Sequence, residues 1–140
     1  TSTGGESVQD LKKELQTVMQ NSFGVFRTEK NMQEGIRQLA DLRERIGRAH
    51  LVDKSSVFNT ARMEALELDN LLEVAEATAI SAEVRKESRG AHARQDFETR
   101  DDANWLCHSI YNPLEKSVGK RAVNFAPKTM PAFEPTERKY

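Results

Sequence analysis

The chain has 140 residues, 21 Lys and Arg against 22 Asp and Glu, and a formal net charge of −1, so it has room for one domain with a real core and carries no global field that would attract nucleic acid or anionic lipid. No apolar run approaches the ~18 residues of a membrane span, so direct membrane insertion is not expected. Cys107 is the only cysteine; an internal disulfide is excluded, and a reducing compartment is the simplest inference.

The chain opens Thr1-Ser2-Thr3-Gly4-Gly5, without an initiator methionine or a leader pattern. Residues 1–5 read as linker, and the expectation is a piece of a larger protein. Val8, Leu11, Leu15, Val18 and Met19 then recur at helical spacing, with Ser7 and Asp10 as an N-cap pair and Gly24 as the stop. A second helix is expected to start at Thr28 as N-cap, to bury Met32, Ile36, Leu39, Leu42 and Ile46, and to stop at Gly47.

The third helix is the longest, from Asn59 or Thr60 to Glu87. Ala61, Ala65, Leu68, Leu72, Ala75, Ala79 and Ala82 form one apolar face, while Arg62, Asp69, Glu73, Glu76 and Glu83 form a polar stripe spaced for solvent. Met63, Leu66, Val74, Ala77 and Val84 make a further apolar face. A helix with two apolar faces has two things to pack against, so Met63, Leu66 and Val74 are expected to be exposed if the second partner lies outside the chain. The competing expectation is that the C-terminal part of the same chain covers them.

Next comes Arg85-Lys86-Glu87-Ser88-Arg89-Gly90-Ala91-His92-Ala93-Arg94. Gly90 is the expected helix exit, because it enters left-handed geometry without a Cβ penalty, and the basic groups would complement the negative end of the helix. Beyond a mainly acidic loop, Trp105 to Tyr111 alternates as a strand. A connection containing Asn112, Pro113 and Gly119 leads to an expected partner strand over Arg121 to Phe125. Pro127, Pro131 and Pro135 then forbid regular structure and leave an extended tail. The fold expected is mainly α: a three-helix bundle over residues 6–87, then a small irregular α+β appendage over residues 88–140 with a short antiparallel hairpin and an extended tail.

No catalytic, cofactor-binding or metal-ligating constellation survives geometry. Cys107 and His108 are strand neighbours whose side chains point to opposite faces. His50 matches no metal template, no glycine pattern of a dinucleotide loop is present, and Trp105 and Tyr111 lack the basic stripe of a base-stacking platform.

Glu87-Ser88-Arg89-Gly90-Ala91-His92 resembles the signature near the C-terminus of the succinate dehydrogenase and fumarate reductase flavoprotein subunits. Arg100-Asp101-Asp102-Ala103-Asn104-Trp105-Leu106-Cys107-His108-Ser109 resembles the bacterial succinate dehydrogenase form of the same region, as do Phe58-Asn59-Thr60 and Leu66-Glu67-Leu68-Asp69-Asn70-Leu71. The resemblance runs from about Val8 to Tyr140. It implies a C-terminal scaffold domain that braces the flavin-binding domain of the same subunit. The intact subunit would carry FAD, oxidise succinate to fumarate, and pass electrons to an iron-sulfur subunit and then a quinone. It would do so on the cytoplasmic side of the bacterial inner membrane, peripherally, within a membrane-anchored complex. This chain alone is expected to be inactive and without cofactor.

Arg89, His92 and Arg94 are the candidate interdomain contacts. Arg89 offers a fork suited to a carboxylate or to carbonyls across a boundary, and His92 can donate from one ring nitrogen while accepting at the other. On this reading Arg89 loses its outside partners in the isolated chain and faces water. The alternatives are the same domain of a fumarate reductase or an L-aspartate oxidase, or a free-standing three-helix adaptor. Trp105 to Ser109 and the ending Arg138-Lys139-Tyr140 argue against the oxidase.

Overall fold

A computed structural model describes residues 6–50 and 60–136. Three helices, α1 (Val8–Phe23), α2 (Glu29–His50) and α3 (Thr60–Val84), pack pairwise on one another. Two-residue strand β1 (Phe26–Arg27) follows α1 and pairs in parallel with β2 (Ala93–Arg94). A helical turn, α4 (Asp102–Trp105), precedes the antiparallel hairpin β3 (Cys107–Asn112) and β4 (Ser117–Ala122), which packs on α3. The chain is therefore mainly α, a helical bundle followed by a small sheet-bearing appendage. No helix or strand follows Ala122 among the described residues.

The apolar periodicities converge on one core. Leu11, Leu15 and Val18 of α1, Met32, Leu39, Leu42 and Ile46 of α2, and Leu68, Leu72, Ala75, Ala79 and Ala82 of α3 are all buried in it, with Val8, Met19 and Ile36 packed at its margin. The small residues of α3 let the helices approach. The α1–α2 contact is tighter still at Gly35, where an added Cβ would lie 2.5 Å from Phe23 Cε2 and 2.5 Å from Ser22 Cβ. Thr28 caps α2 through its hydroxyl, which accepts the Asn31 amide at 3.3 Å. Ser7 occupies the α1 N-cap in extended geometry, but its side chain makes no capping bond.

Several elements depart from the sequence expectations. Helix α2 runs through Gly47 to His50; a Cβ added at Gly47 would meet no atom of the described residues within 4 Å, and no turn is required there. Strand β4 starts at Ser117, four residues ahead of the expected Arg121 start, because Pro113 to Lys116 closes the hairpin and Lys116 itself takes the left-handed conformation (φ 48°). Gly119 is thereby inside the strand, opposite Ile110. Trp105 belongs to the α4 turn and is buried. Glu76, placed on the solvent stripe of the third helix by spacing, is only 6% exposed. Arg43 of α2 grips its carboxylate with two bonds of 2.8 and 2.7 Å, and Lys116 of the hairpin turn approaches to 3.5 Å, so this carboxylate joins α2, α3 and the appendage.

The second apolar face of α3 is open in this chain. Met63, Leu66 and Val74 are 73%, 56% and 67% exposed, and the appendage does not cover them. The residues 1–5 linker, the Phe58-Asn59 part of one resemblance block, the Arg138-Lys139-Tyr140 ending, and the side chains of His50, Ala61 and Arg62 lie outside the described residues.

Candidate functional site

Between the end of α3 and the start of α4 the chain builds a network of arginines and carboxylates. Helix α3 ends at Val84, six residues before Gly90. Its last carbonyls are taken by a side chain rather than by a glycine turn: Arg94 Nη1 donates to the carbonyls of Glu83 (3.0 Å), Arg85 (3.3 Å) and Ala82 (3.5 Å). A cation is stabilising at this end of the helix dipole. Arg94 is 1% exposed, and its other two nitrogens form a bidentate pair with Asp96 at 2.7 Å each. Asp96 also accepts the Glu29 amide at the start of α2. The Arg94 guanidinium, with that amide, holds the Asp96 carboxyl far below the usual carboxylate range.

Gly90 is used differently from expectation. It sits at the tip of a tight turn in which Arg89 and His92 exchange backbone bonds of 2.9 and 3.0 Å, and its φ of 58° is the reason for a glycine. A positive φ at the first central residue suits a two-residue hairpin turn. Ser88 holds the base of this turn, accepting the Arg94 amide at 2.8 Å and donating to the Phe97 carbonyl.

Glu87 is the centre of the second half. It is fully buried, with Oε1 accepting from Arg85 Nη1 and Arg89 Nε, and Oε2 accepting from Arg89 Nη2 (3.1 Å) and the Asp101 amide (2.8 Å). Burial pushes the carboxyl up, but the bonds from Arg89, the Asp101 amide and Arg85 outweigh it, so its pKa falls below the ordinary glutamate value. Arg89 also binds Asp102 at 2.6 Å, and these carboxylates raise its own pKa further. The expectation that Arg89 faces water in this chain is thus not met: 26% of its side chain is exposed, and its fork is engaged by Glu87 and Asp102. Arg85 continues to the Trp105 carbonyl (3.0 Å) and lies 5.3 Å from the Trp105 ring centre, with Lys120 over the same ring at 3.6 Å.

His92 completes the assembly. Its Nε2 donates to the Arg85 carbonyl at 3.0 Å, and its Nδ1 accepts from Arg27 Nη1 at 2.9 Å. Arg27 in turn donates through Nε to the Phe23 and Gly24 carbonyls at the end of α1.

Arg89, His92 and Arg94 therefore come together, along one open cleft that Phe26 and Arg100 also line. Sequence reasoning missed Glu87, Arg27 and Asp96. For Glu87 a signal existed: Arg85, Glu87 and Arg89 alternate, and on an extended segment alternate residues share one side. For Arg27, 65 residues from His92 in the chain, no local pattern points to the contact. Among the described residues no group of three or more His, Cys, Asp or Glu is placed to hold a metal ion, and no helix is long and apolar enough to cross a membrane.

Comparison with known proteins accounts for this architecture. The family model described as "Fumarate reductase flavoprotein C-term" matches residues 12–140. A succinate dehydrogenase flavoprotein subunit of Coxiella burnetii is 52% identical over 128 residues, which cover 91% of this chain and 22% of that protein. A fumarate reductase flavoprotein subunit of Haemophilus influenzae is 39% identical over 139 residues, covering 98% of this chain and 22% of that protein. Among solved structures, Escherichia coli quinol fumarate reductase superposes with a TM-score of 0.75 at 37% identity, over 94% of this chain and 23% of that one. The chain thus spans less than a quarter of the length of these proteins, and it belongs to the C-terminal domain family of the succinate dehydrogenase and fumarate reductase flavoprotein subunits.

Proposed function

We propose that this chain is the C-terminal scaffold of a bacterial succinate dehydrogenase flavoprotein subunit, bracing the flavin-binding domain and contributing no catalytic residue of its own. The observation that carries the reading is the 52% identity to a succinate dehydrogenase flavoprotein subunit, together with a network whose arginines are already engaged by Glu87, Asp96 and Asp102. An arginine gripped by a carboxylate of its own chain orders a loop; it does not receive a dicarboxylate substrate. The intact subunit would carry FAD and oxidise succinate to fumarate, with two electrons passing to an iron-sulfur subunit and on to a quinone in a membrane-anchored complex, the subunit itself lying peripherally on the cytoplasmic face. The sequence carries no G-x-G-x-x-G pattern of a dinucleotide loop, so the dinucleotide would be held elsewhere in the subunit.

Within that frame, residues 6–87 form the bundle and residues 88–140 the appendage that meets the flavin-binding domain. Arg89 and His92 act at that boundary from the cleft, and Arg94, being buried, acts through the loop it holds against α3. The open face at Met63, Leu66 and Val74 is a second surface for the rest of the subunit. Fumarate reduction is the second reading, favoured by the Haemophilus influenzae relative and by the Escherichia coli structure.

The test compares this chain, the subunit truncated before it, and the two supplied together. The chain alone should elute colourless from gel filtration and show no succinate-dependent dye reduction, while adding it to the truncated subunit should restore flavin retention and turnover. Flavin absorbance that stays with the chain, or full activity of the truncated subunit without it, would overturn the scaffold reading. In the assembled complex, the ratio of succinate oxidation to fumarate reduction separates the two directions.

A further inference from the structure

The geometry points to His92 as a proton-operated clasp between the α1–β1 corner and the segment that follows α3. The argument begins with donor and acceptor inventory. A carbonyl oxygen can only accept and a guanidinium can only donate. With Nε2 against the Arg85 carbonyl and Nδ1 against Arg27 Nη1, the ring must therefore be neutral, with its one proton on Nε2. In that state His92 adds a side-chain link between two parts of the chain that α1–α3 packing already brings together. On one side is Arg27, bonded to the last carbonyls of α1; on the other is the α3 end, with Arg94 on the same Arg85 carbonyl. The backbone adds the short parallel pair β1–β2, the Gln95 amide donating to the Arg27 carbonyl at 2.8 Å, and the Glu29 amide donating to Asp96.

A second proton, on Nδ1, converts this contact into two donors and two cations face to face. The Arg85 carbonyl can keep its bond, but Arg27 loses its acceptor. The charged surroundings do not relieve the conflict. Arg27 faces the ring from the α1–β1 corner, Arg85 from the α3 end and Arg94 from β2. The nearby carboxylates are committed: Asp96 to Arg94, Glu87 to Arg85 and Arg89, and Glu29 of α2 to Lys86. Burial pushes the imidazole below its ordinary range; the Arg85 carbonyl opposes that, and the charges of Arg27, Arg94 and Arg85 reinforce it. A depressed histidine binds more protons unfolded than folded. The contribution of the clasp is thus complete above the unfolded value of about 6.5, and it is lost as pH falls from there through the folded value. Opening frees the corner that carries Val25 and Phe26, which are 70% and 69% exposed beside Gly90 and Ala91. The apolar edge of the cleft thereby becomes conditional on pH.

The experiment uses the 140-residue chain. Long-range proton–nitrogen correlation of the imidazoles should show His92 as the neutral Nε2–H tautomer at pH 7, with a titration midpoint below that of an ordinary histidine. Protection of the Gln95 amide against hydrogen exchange should hold above about pH 6.5 and fall as pH drops from there, together with the melting temperature. His92→Gln, which can donate and accept but not titrate, should remove both pH dependences while keeping the fold. An Nδ1–H tautomer, a titration midpoint at or above the ordinary value, or Gln95 protection indifferent to pH would overturn the clasp. The first two are read on the unsubstituted chain and decide the question even if His92→Gln fails to fold.

Discussion

Replacing Glu87 by glutamine removes one charge and changes no volume, and it tests whether the buried carboxylate organises the appendage. Each oxygen of Glu87 accepts two bonds, Oε1 from Arg85 and Arg89 and Oε2 from Arg89 and the Asp101 amide. Whichever way the new amide turns, its NH2 group faces two donors, so two bonds are lost and the arginines keep an uncompensated charge. Two charge-assisted bonds at about 1.5–3 kcal/mol each give about 3–6 kcal/mol, in line with about 3–5 kcal/mol for breaking a buried ion pair. Against a total stability of about 5–15 kcal/mol this is a large loss. It corresponds to a fall in melting temperature on the order of 10 °C for a chain of this size. Trp105 is the only tryptophan, and its ring lies beneath Arg85 and Lys120. Its fluorescence therefore reports on the network while far-ultraviolet circular dichroism reports on the bundle. The fluorescence transition should move at least as far as the helical one. A loss below about 1 kcal/mol by both probes, the worth of an exposed pair, would refute the argument.

Gly35→Ala and Gly47→Ala should move stability in opposite directions. The first places a methyl 2.5 Å from Phe23 and Ser22 and should cost about 1–3 kcal/mol by overpacking, while the second meets open space inside a helix and should gain up to about 1 kcal/mol, both read by urea melts. Arg89→Ala should destabilise the chain on its own by about 2 kcal/mol, because it strips two donors from buried Glu87; a neutral result would mean that Arg85 and the Asp101 amide suffice. On the acid side, Glu87 has its folded pKa depressed, so its contribution is complete above the unfolded glutamate value near 4.3 and is lost as pH falls through the folded value. Acid titration of stability should consequently be shallower in Glu87→Gln than in the unsubstituted chain.

Local pattern was enough for the bundle. Apolar spacing in α1, α2 and α3 named most of the core residues, because a helix face is a property of neighbours three and four apart; it missed Phe23 at the end of α1 and included Ala65, which is only half-buried. The open face at Met63, Leu66 and Val74 was visible for the same reason. Alternation placed a strand over Trp105 to Tyr111, and one forms over Cys107 to Asn112 after the α4 turn takes Trp105; its partner's register did not follow from the sequence, since that depended on how Pro113 to Lys116 closes the turn. What tertiary structure alone decided were the charged contacts. Spacing put Glu76 on the solvent face, yet Arg43 and Lys116 arrive from two other elements and make its burial tolerable. Gly90 was the natural helix exit by conformational preference, but Arg94 satisfies the α3 carbonyls from six residues beyond Ser88 and ends the helix at Val84. Arg27 reaches His92 only because α1 and α3 are packed side by side. Burying a charge is unfavourable until its counter-charge is in place. That partner is supplied by the fold, so the pairing was hidden in a sequence whose basic segment was otherwise its most legible feature.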